Sequence, residues 1–344
     1  QVEIILQHLG LQPEKTAEGF RVTSPSFRFD IEIEADLIEE IGRVYGYENI
    51  PDDYTSGRLK MLALPETKRP RFAVYNEMAA RGYREVVSYA FVDEQWEQDF
   101  AANTNPIRLQ NPLVAQYAVM RSTLIGGLVE VLQNNLNRKQ NRVRVFEIAR
   151  VFSKDSADQF VQNERIGGLW YGSVLPEQWG EKTRNVDFYD MKADVESLLK
   201  NKEVSFIKIE HPALHPGRAA NIVSDGRVVG FVGELHPKWL QKYDLPQAPL
   251  VFEIDMDAVL GREKTRYQSV SKFQPARRDL AFVMPEAVTH DDLLNALKAA
   301  ANKLVQEISV FDVYRGTGVP EGMKSVAVKI ILQDMENTLT DEVI

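Results

Sequence analysis

One stretch limits the fold of this 344-residue chain more than any other: ANIVSDGRVVGFVGEL, residues 220–235. Two apolar runs meet at Asp225-Gly226. Both central positions of such a turn want positive φ, so the pair is a strong hairpin signal. Around it the hydrophobic period alternates. Helical patterns are FAVYNEMAARGY, stopped by Gly82, LIGGLVEVLQNNLNR and MKADVESLLK. Strand patterns are REVVSYAFV, VRVFEIARVF, RIGGLWYG, VSFIKIE and LVFEIDM. Hairpins mixed with helices predict an α+β unit with a largely antiparallel sheet and helices on one face, over residues 69–262.

A smaller unit precedes it at residues 1–52: a helix (VEIILQHLG), a turn, an extended segment through FRVTSPSFRFDIEI and a second helix, DLIEEIGRVYGY. Residues 53–68 bring prolines and polar residues without a sustained period, as a linker does. Residues 270–344 read as strand (RRDLAFVM), a helix capped by Thr289, strands EISVFDVY and KSVAVKIILQD, and a further capped helix starting in TLTDEVI. The order βαββα is the ferredoxin-like split pattern without its last strand, which makes the chain an expected piece of something longer.

Composition sets outer bounds. The chain has no cysteine, so disulfides, thiolate metal sites and a cysteine nucleophile are excluded. No apolar run approaches the roughly 20 residues of a membrane span, and a cytoplasmic protein is the expectation. The formal charge of −9 argues against a uniformly basic nucleic-acid binder, yet residues 262–278 hold six basic side chains against one acid. No GxxxxGK[ST], GxSxG or HExxH pattern occurs. His211 and His215 are four apart, but the proline after each forbids the helix that would join them, and a tight loop is expected.

Six carboxylates crowd residues 30–40, with no Lys or Arg among them. On a helix, Leu37, Ile38, Ile41, Val44 and Tyr45 share one arc and Asp36, Glu39 and Glu40 the opposite one. Acids in a first turn favour the positive end of the macrodipole and need no further account. Asp30, just upstream, is not covered by that argument, and a turn swings it toward the same three groups. An all-oxygen cluster suits a hard divalent ion, magnesium before zinc. Both readings stay open on spacing alone.

PSFRFDIEIEADLIEEIGRVYGYENIP resembles the end of the B5 domain, a small winged-helix-like module, in the beta-subunit family of bacterial phenylalanine–tRNA ligases. The resemblance continues through MRSTLIGGLVEVLQNNLNR, RVRVFEIARVF, VDFYDMKADVESLL, ALHPGRAANI and VVGFVGELHP, similar to that family's catalytic-like module of class II synthetase type. FQPARRDLAFVM and VFDVYRGTGVPEGMKSVAVKIILQD resemble its ferredoxin-fold anticodon-binding domain, truncated here. The resemblance implies magnesium on Asp30, Asp36, Glu39 and Glu40 where the chain meets an alpha subunit. It also implies two alpha and two beta chains, tRNA as partner, no DNA or membrane, and ATP bound on alpha.

A class II core clamps ATP with arginines on antiparallel strands. No GxGxGxxR strand occurs between Arg69 and Leu260, and Arg218 follows His215-Pro216-Gly217, which do not promise a flat strand. Arg121 and Arg144 read as members of ion pairs, so no catalytic residue is assigned and the chain alone is expected to be inactive. Lys272, Arg277, Arg278 and Arg315 are candidate phosphate contacts, with Phe273, Phe311 and Tyr314 available to stack on bases. The alternative is a stand-alone RNA-binding paralogue. A partner would demand apolar surface, for which Leu124, Leu128, Val131 and Leu132 facing outward are the candidates.

Overall fold

The computed structural model describes the chain except residues 61, 63, 64, 201 and 341–344. Two compact units emerge, Gln1–Ala63 and Leu64–Ile344.

In the first, helix α1 (Val2–His8) buries Ile5 and Leu6. Strands β1 (Gln12–Lys15) and β2 (Phe20–Thr23) form a hairpin, and helix α2 (Glu34–Tyr45) follows. The expected long extended segment ends at Thr23. Residues 24–33 are turns, because Ser24-Pro25 breaks the strand and the chain folds back: the Arg28 N–H donates to the Pro25 carbonyl. On α2, Leu37 and Ile41 are half-buried as the arc predicts, but Ile38, Val44 and Tyr45 are exposed.

The second unit opens with α3 (Arg71–Ala80), ended at Gly82 with φ +82°. Next come β3 (Arg84–Glu85), β4 (Phe91–Val92), α4 (Glu94–Ala101), β5 (Val119–Met120) and α5 (Ile125–Asn137). The long hairpin β6 (Val143–Lys154) and β7 (Phe160–Tyr171), helix α6 (Phe188–Leu198), β8 (Val204–Lys208), β9 (Leu214–Ser224) and β10 (Arg227–Leu235) follow. Helix α7 (Pro237–Lys242), β11 (Leu250–Asp255) and α8 (Met256–Leu260) complete the central body. Asp225 and Gly226 take φ of +52° and +73°, as the hairpin between β9 and β10 requires.

The central sheet has the order β3-β6-β7-β11-β10-β9-β8 and is antiparallel except for the short β3–β6 pair. Helices cover both of its faces, not one. Alternation along the strands explains this, since nearly every position is apolar. Phe146, Ile148, Ile166, Trp170, Phe252 and Ile254 meet α3, α6 and α8 on one side. Val143, Val145, Leu169, Tyr171 and Val251 meet α5 on the other, with Phe100 of α4. REVVSYAFV is not one strand either. It leaves β6 after Val86, turns Ser88 inward, and rejoins a two-residue pair with β5 at Phe91–Val92.

Strands β12 (Ala276–Pro285), β13 (Val305–Tyr314) and β14 (Met323–Leu332) form a separate antiparallel sheet, order β12-β14-β13, with α9 (His290–Ala300). Thr289 caps α9 through the Asp292 N–H. The side of the sheet facing α9 carries a small core of Met284, Leu293, Val326 and Val328. The helix expected from TLTDEVI falls at 338–344, whose last four residues lie outside the described ones.

Candidate functional site

The acidic segment is organised by three different partners. Asp36, at the third position of α2, turns back to accept the N–H groups of Ile33 (2.9 Å) and Glu32 (2.8 Å). Those two bonds hold its carboxyl below the usual range. Asp30 is gripped by Arg28, whose Nε donates to Oδ1 at 3.0 Å and Nη2 to Oδ2 at 2.7 Å. The same guanidinium stands 3.2 Å from Glu40 Oε1, and Arg43 donates to Glu40 Oε2 at 2.8 Å. Arg28 depresses the Asp30 carboxyl, and Arg43 followed by Arg28 depresses Glu40. Glu39 is exposed on the same helix.

The structure therefore brings Asp30 and Glu40 together, but through a guanidinium. The all-oxygen donor set has the right chemistry for a hard cation. Its arrangement is not a chelate: among the described residues no group of three or more His, Cys, Asp or Glu side chains is disposed to hold a metal ion. As arranged here, Asp30, Asp36, Glu39 and Glu40 do not fit a divalent ion.

In the central sheet the candidate arginines are committed to internal pairs. Arg121 is buried, its Nη1 donating to Glu147 Oε1 at 3.0 Å and Ser88 Oγ at 2.8 Å and its Nε to the Arg150 carbonyl at 3.1 Å. Arg144 pairs with buried Asp194 and lies 3.5 Å over the Trp170 ring. Tyr83 also donates to Asp194, at 2.8 Å, and burial followed by that acid pushes its phenol well above the ordinary value. Arg218 pairs with Glu234 at 2.7 Å. The HPGR segment does belong to strand β9, contrary to expectation. It bulges: the register jumps from Gly233↔Ala219 to Leu235↔Leu214, leaving residues 215–218 unmatched.

Residues that sequence reasoning missed are the buried acids. Glu147 and Glu253 both pair in register with Gly167 of β7, one from each side. Glu253 accepts the Thr123 hydroxyl (2.6 Å) and the Leu124 N–H (2.8 Å) at the start of α5, and takes Arg165 Nη1 at 2.7 Å. Glu97 accepts the Ser122 N–H at 2.8 Å beside them. The available signal was the tetrapeptide VFEI, at 145–148 and again at 251–254: a single acid inside an otherwise apolar strand. Leu124, Leu128 and Leu132 point into this core and Val131 is half-buried, so they do not supply outward apolar surface. Exposed apolar side chains lie instead at Val87, Tyr89 and Leu113, where Tyr89 stacks on Phe91 with centroids 5.4 Å apart.

In the smaller sheet, alternation separates neighbouring arginines. Arg277 donates to both carboxylate oxygens of Asp279, at 2.8 and 2.9 Å, and lies over the Phe311 ring, 5.5 Å from its centroid, on the side away from α9. Arg278 falls on the other face, with Leu280 and Phe282. Lys329, opposite Asp279, pairs with Glu307 on the Arg277 face. Arg315 pairs with Glu286, while Lys272 and Tyr314 are exposed.

Sequence comparison gives these features a family. The description "tRNA synthetase B5 domain" matches residues 1–47, "Phenylalanyl tRNA synthetase beta chain CLM domain" residues 50–256, and "Ferredoxin-fold anticodon binding domain" residues 271–344. This order of modules defines a tRNA-synthetase component. The chain belongs to the family of the phenylalanyl-tRNA synthetase beta chain CLM domain, which matches well over half of it. Among curated relatives it is 88% identical over its whole length to the phenylalanine–tRNA ligase beta subunit of Neisseria meningitidis serogroup B. It is 86% identical to that of Neisseria gonorrhoeae and 55% identical over 338 residues to that of Chromobacterium violaceum. The chain spans 43–44% of the length of these relatives. Among the described residues no helix is long and apolar enough to cross a membrane.

Proposed function

We propose that the chain works as the catalytic-like and anticodon-binding part of a phenylalanine–tRNA ligase beta subunit, alongside an alpha subunit that holds ATP, in a two-alpha, two-beta assembly. In this reading the central body is a class II synthetase sheet that has lost its nucleotide pocket. One observation carries it: helices cover both faces of that sheet, and the buried or half-buried Arg121, Arg144 and Arg165 are taken by Glu147, Asp194 and Glu253. Bidentate phosphate binding needs an arginine whose fork is open. The test is phenylalanine-dependent exchange of pyrophosphate into ATP. The chain alone is expected to give none, and exchange without alpha would overturn the reading.

Contact with tRNA is proposed on the sheet face that carries Arg277, Phe311, Tyr314 and Lys329. An aromatic ring beside basic groups on an open sheet suits a splayed base, and a phosphate would reach the Arg277 fork in place of Asp279, an exposed partner unlike the buried acids of the central sheet. Arg278, on the opposite face, belongs to a different surface, and Lys272 and Arg315 lie at the margins of the domain. Arg277→Ala is expected to weaken tRNA binding and lower the slope of log K against log salt by about one phosphate contact. An unchanged affinity and slope would remove Arg277 from the interface.

Magnesium on Asp30, Asp36, Glu39 and Glu40, beside the alpha subunit, belongs to the same reading. Its support is the oxygen-only donor set. It requires Arg28 to release two of the four carboxylates.

A further inference from the structure

We propose that three His-Pro turns, at His211, His215 and His236, build a pocket for a phosphate group, with the ring Nε2–H groups of His211 and His236 and the Lys238 ammonium as donors. The pocket uses no residue of the sheet face proposed for tRNA, so it stands or falls without that reading.

The three turns are built alike. His211, His215 and His236 are each followed by proline, which has no N–H and holds the residue before it extended. His236 accordingly has φ −63° and ψ 135°. In each turn the histidine Nδ1 accepts the N–H two residues on, from Ala213 at 3.2 Å, Gly217 at 2.9 Å and Lys238 at 3.0 Å. A neutral imidazole whose Nδ1 accepts carries its proton on Nε2, so all three rings are set as Nε2–H donors with no acceptor left over. Fold contacts join the turns. Leu214 pairs with Leu235 across the bulge, the His236 N–H donates to the Ala213 carbonyl at 2.8 Å, and Trp239 Nε1 donates to the Pro212 carbonyl at 3.0 Å.

His211, His236 and Lys238 line one open cavity of about 420 Å³, and Glu210 is the single acid among its lining residues. Phe231 backs His211, ring centroids 4.3 Å apart, and burial keeps that ring neutral. Burial, then the charges of Lys238 and His215, lower the His236 pKa, so the ring sits in a positive surrounding that an anion relieves. Beside it Arg218 is matched by Glu234 at 2.7 Å. The cavity thus offers donors from two chain segments and little to accept a proton or bind a cation. A planar carboxylate is best met by an arginine fork, whereas donors spread over two segments suit a tetrahedral anion with oxygens on several sides.

The test uses the whole chain, ¹⁵N-labelled at histidine, with inorganic phosphate as the first probe and a single-stranded RNA oligonucleotide as the second. The Nε2 resonances of His211 and His236 are expected to shift saturably. Asparagine keeps an acceptor for the turn but lacks the Nε2–H. His236→Asn should therefore unfold at the parent temperature in phosphate-free buffer and bind about tenfold more weakly, the loss of one hydrogen bond to a charged group. Lys238 is exposed, so Lys238→Met leaves the fold intact and should weaken binding by a similar factor. A response to RNA that is tighter than the response to inorganic phosphate, or present without it, makes the ligand an RNA phosphodiester. A response to inorganic phosphate that RNA does not better makes it a small phosphate ion or ester. Resonances that stay put with both probes overturn the proposal, as does binding that Lys238→Met and His236→Asn leave unchanged.

Discussion

Glu147→Ala tests most directly whether the arginines of the central sheet hold the fold or wait for a ligand. Glu147 is 2% exposed and Arg121 is 4% exposed. The mutation removes the Arg121 contact at 3.0 Å and two bonds from Ser88, from its N–H at 3.2 Å and its hydroxyl at 2.6 Å. Arg121 keeps the Arg150 and Tyr89 carbonyls and the Ser88 hydroxyl but loses its only counter-charge in that contact set. Breaking a buried pair from one side costs about 3–5 kcal/mol, because the remaining charge is uncompensated. The orphaned Ser88 amide overlaps that figure and does not add to it in full. A loss of about 4 kcal/mol is thus expected, a large share of a typical stability of about 5–15 kcal/mol. Arg121→Met should cost a similar amount, and Arg121→Met/Glu147→Leu much less than the two together. Urea unfolding of the four chains gives the coupling. Single variants that lose under about 1 kcal/mol, or losses that simply add, would refute a structural role for the pair and restore Arg121 as a candidate ligand contact.

Two further outcomes follow from local geometry. His211 lies against Phe231, ring centroids 4.3 Å apart, and its Nδ1 accepts the Ala213 N–H, so burial pushes its pKa from 6.5 down to about 4. The unfolded chain binds the proton more tightly, so stability falls as pH drops from about 6.5 toward 4, by about 2 kcal/mol at pH 5. His211→Asn keeps an acceptor for Ala213 without the charge, and its stability should vary with pH less by that amount. An identical pH profile for the two chains counts against it. Thr289→Ala removes the hydroxyl that accepts the Asp292 N–H at 3.1 Å and should cost the ferredoxin-fold domain about 1 kcal/mol, read as earlier loss of amide protection in α9.

Period and turn chemistry were legible because they are local. Helices α5, α6 and α9, the β6–β7 and β9–β10 strands and the Thr289 cap all sit where apolar spacing and capping residues put them. The failures come from contacts between distant segments. REVVSYAFV has strand composition, yet Ser88 is drawn inward by Glu147 and the strand breaks there. HPGR is part of a strand only because β10 accommodates a bulge opposite it. Leu124, Leu128 and Leu132 share one face of α5 in any reading, but periodicity cannot tell a face buried on its own sheet from one buried on a partner.

The sequence by itself determined the three-module order, the antiparallel sheet and the presence of a carboxylate cluster, since each follows from spacing within a few dozen residues. Only the tertiary structure decided which charges meet. Glu147 and Glu253 lie more than a hundred residues apart in the chain, yet both flank Gly167; Glu253 meets Arg165 of the adjacent strand β7, and Glu147 meets Arg121 from the loop between β5 and α5. Arg28 stands two residues from Asp30 and twelve from Glu40, and the turn at Ser24–Arg28 brings all three together. Charge pairing is a matter of ångströms in space, and composition carries that information only after the chain has folded.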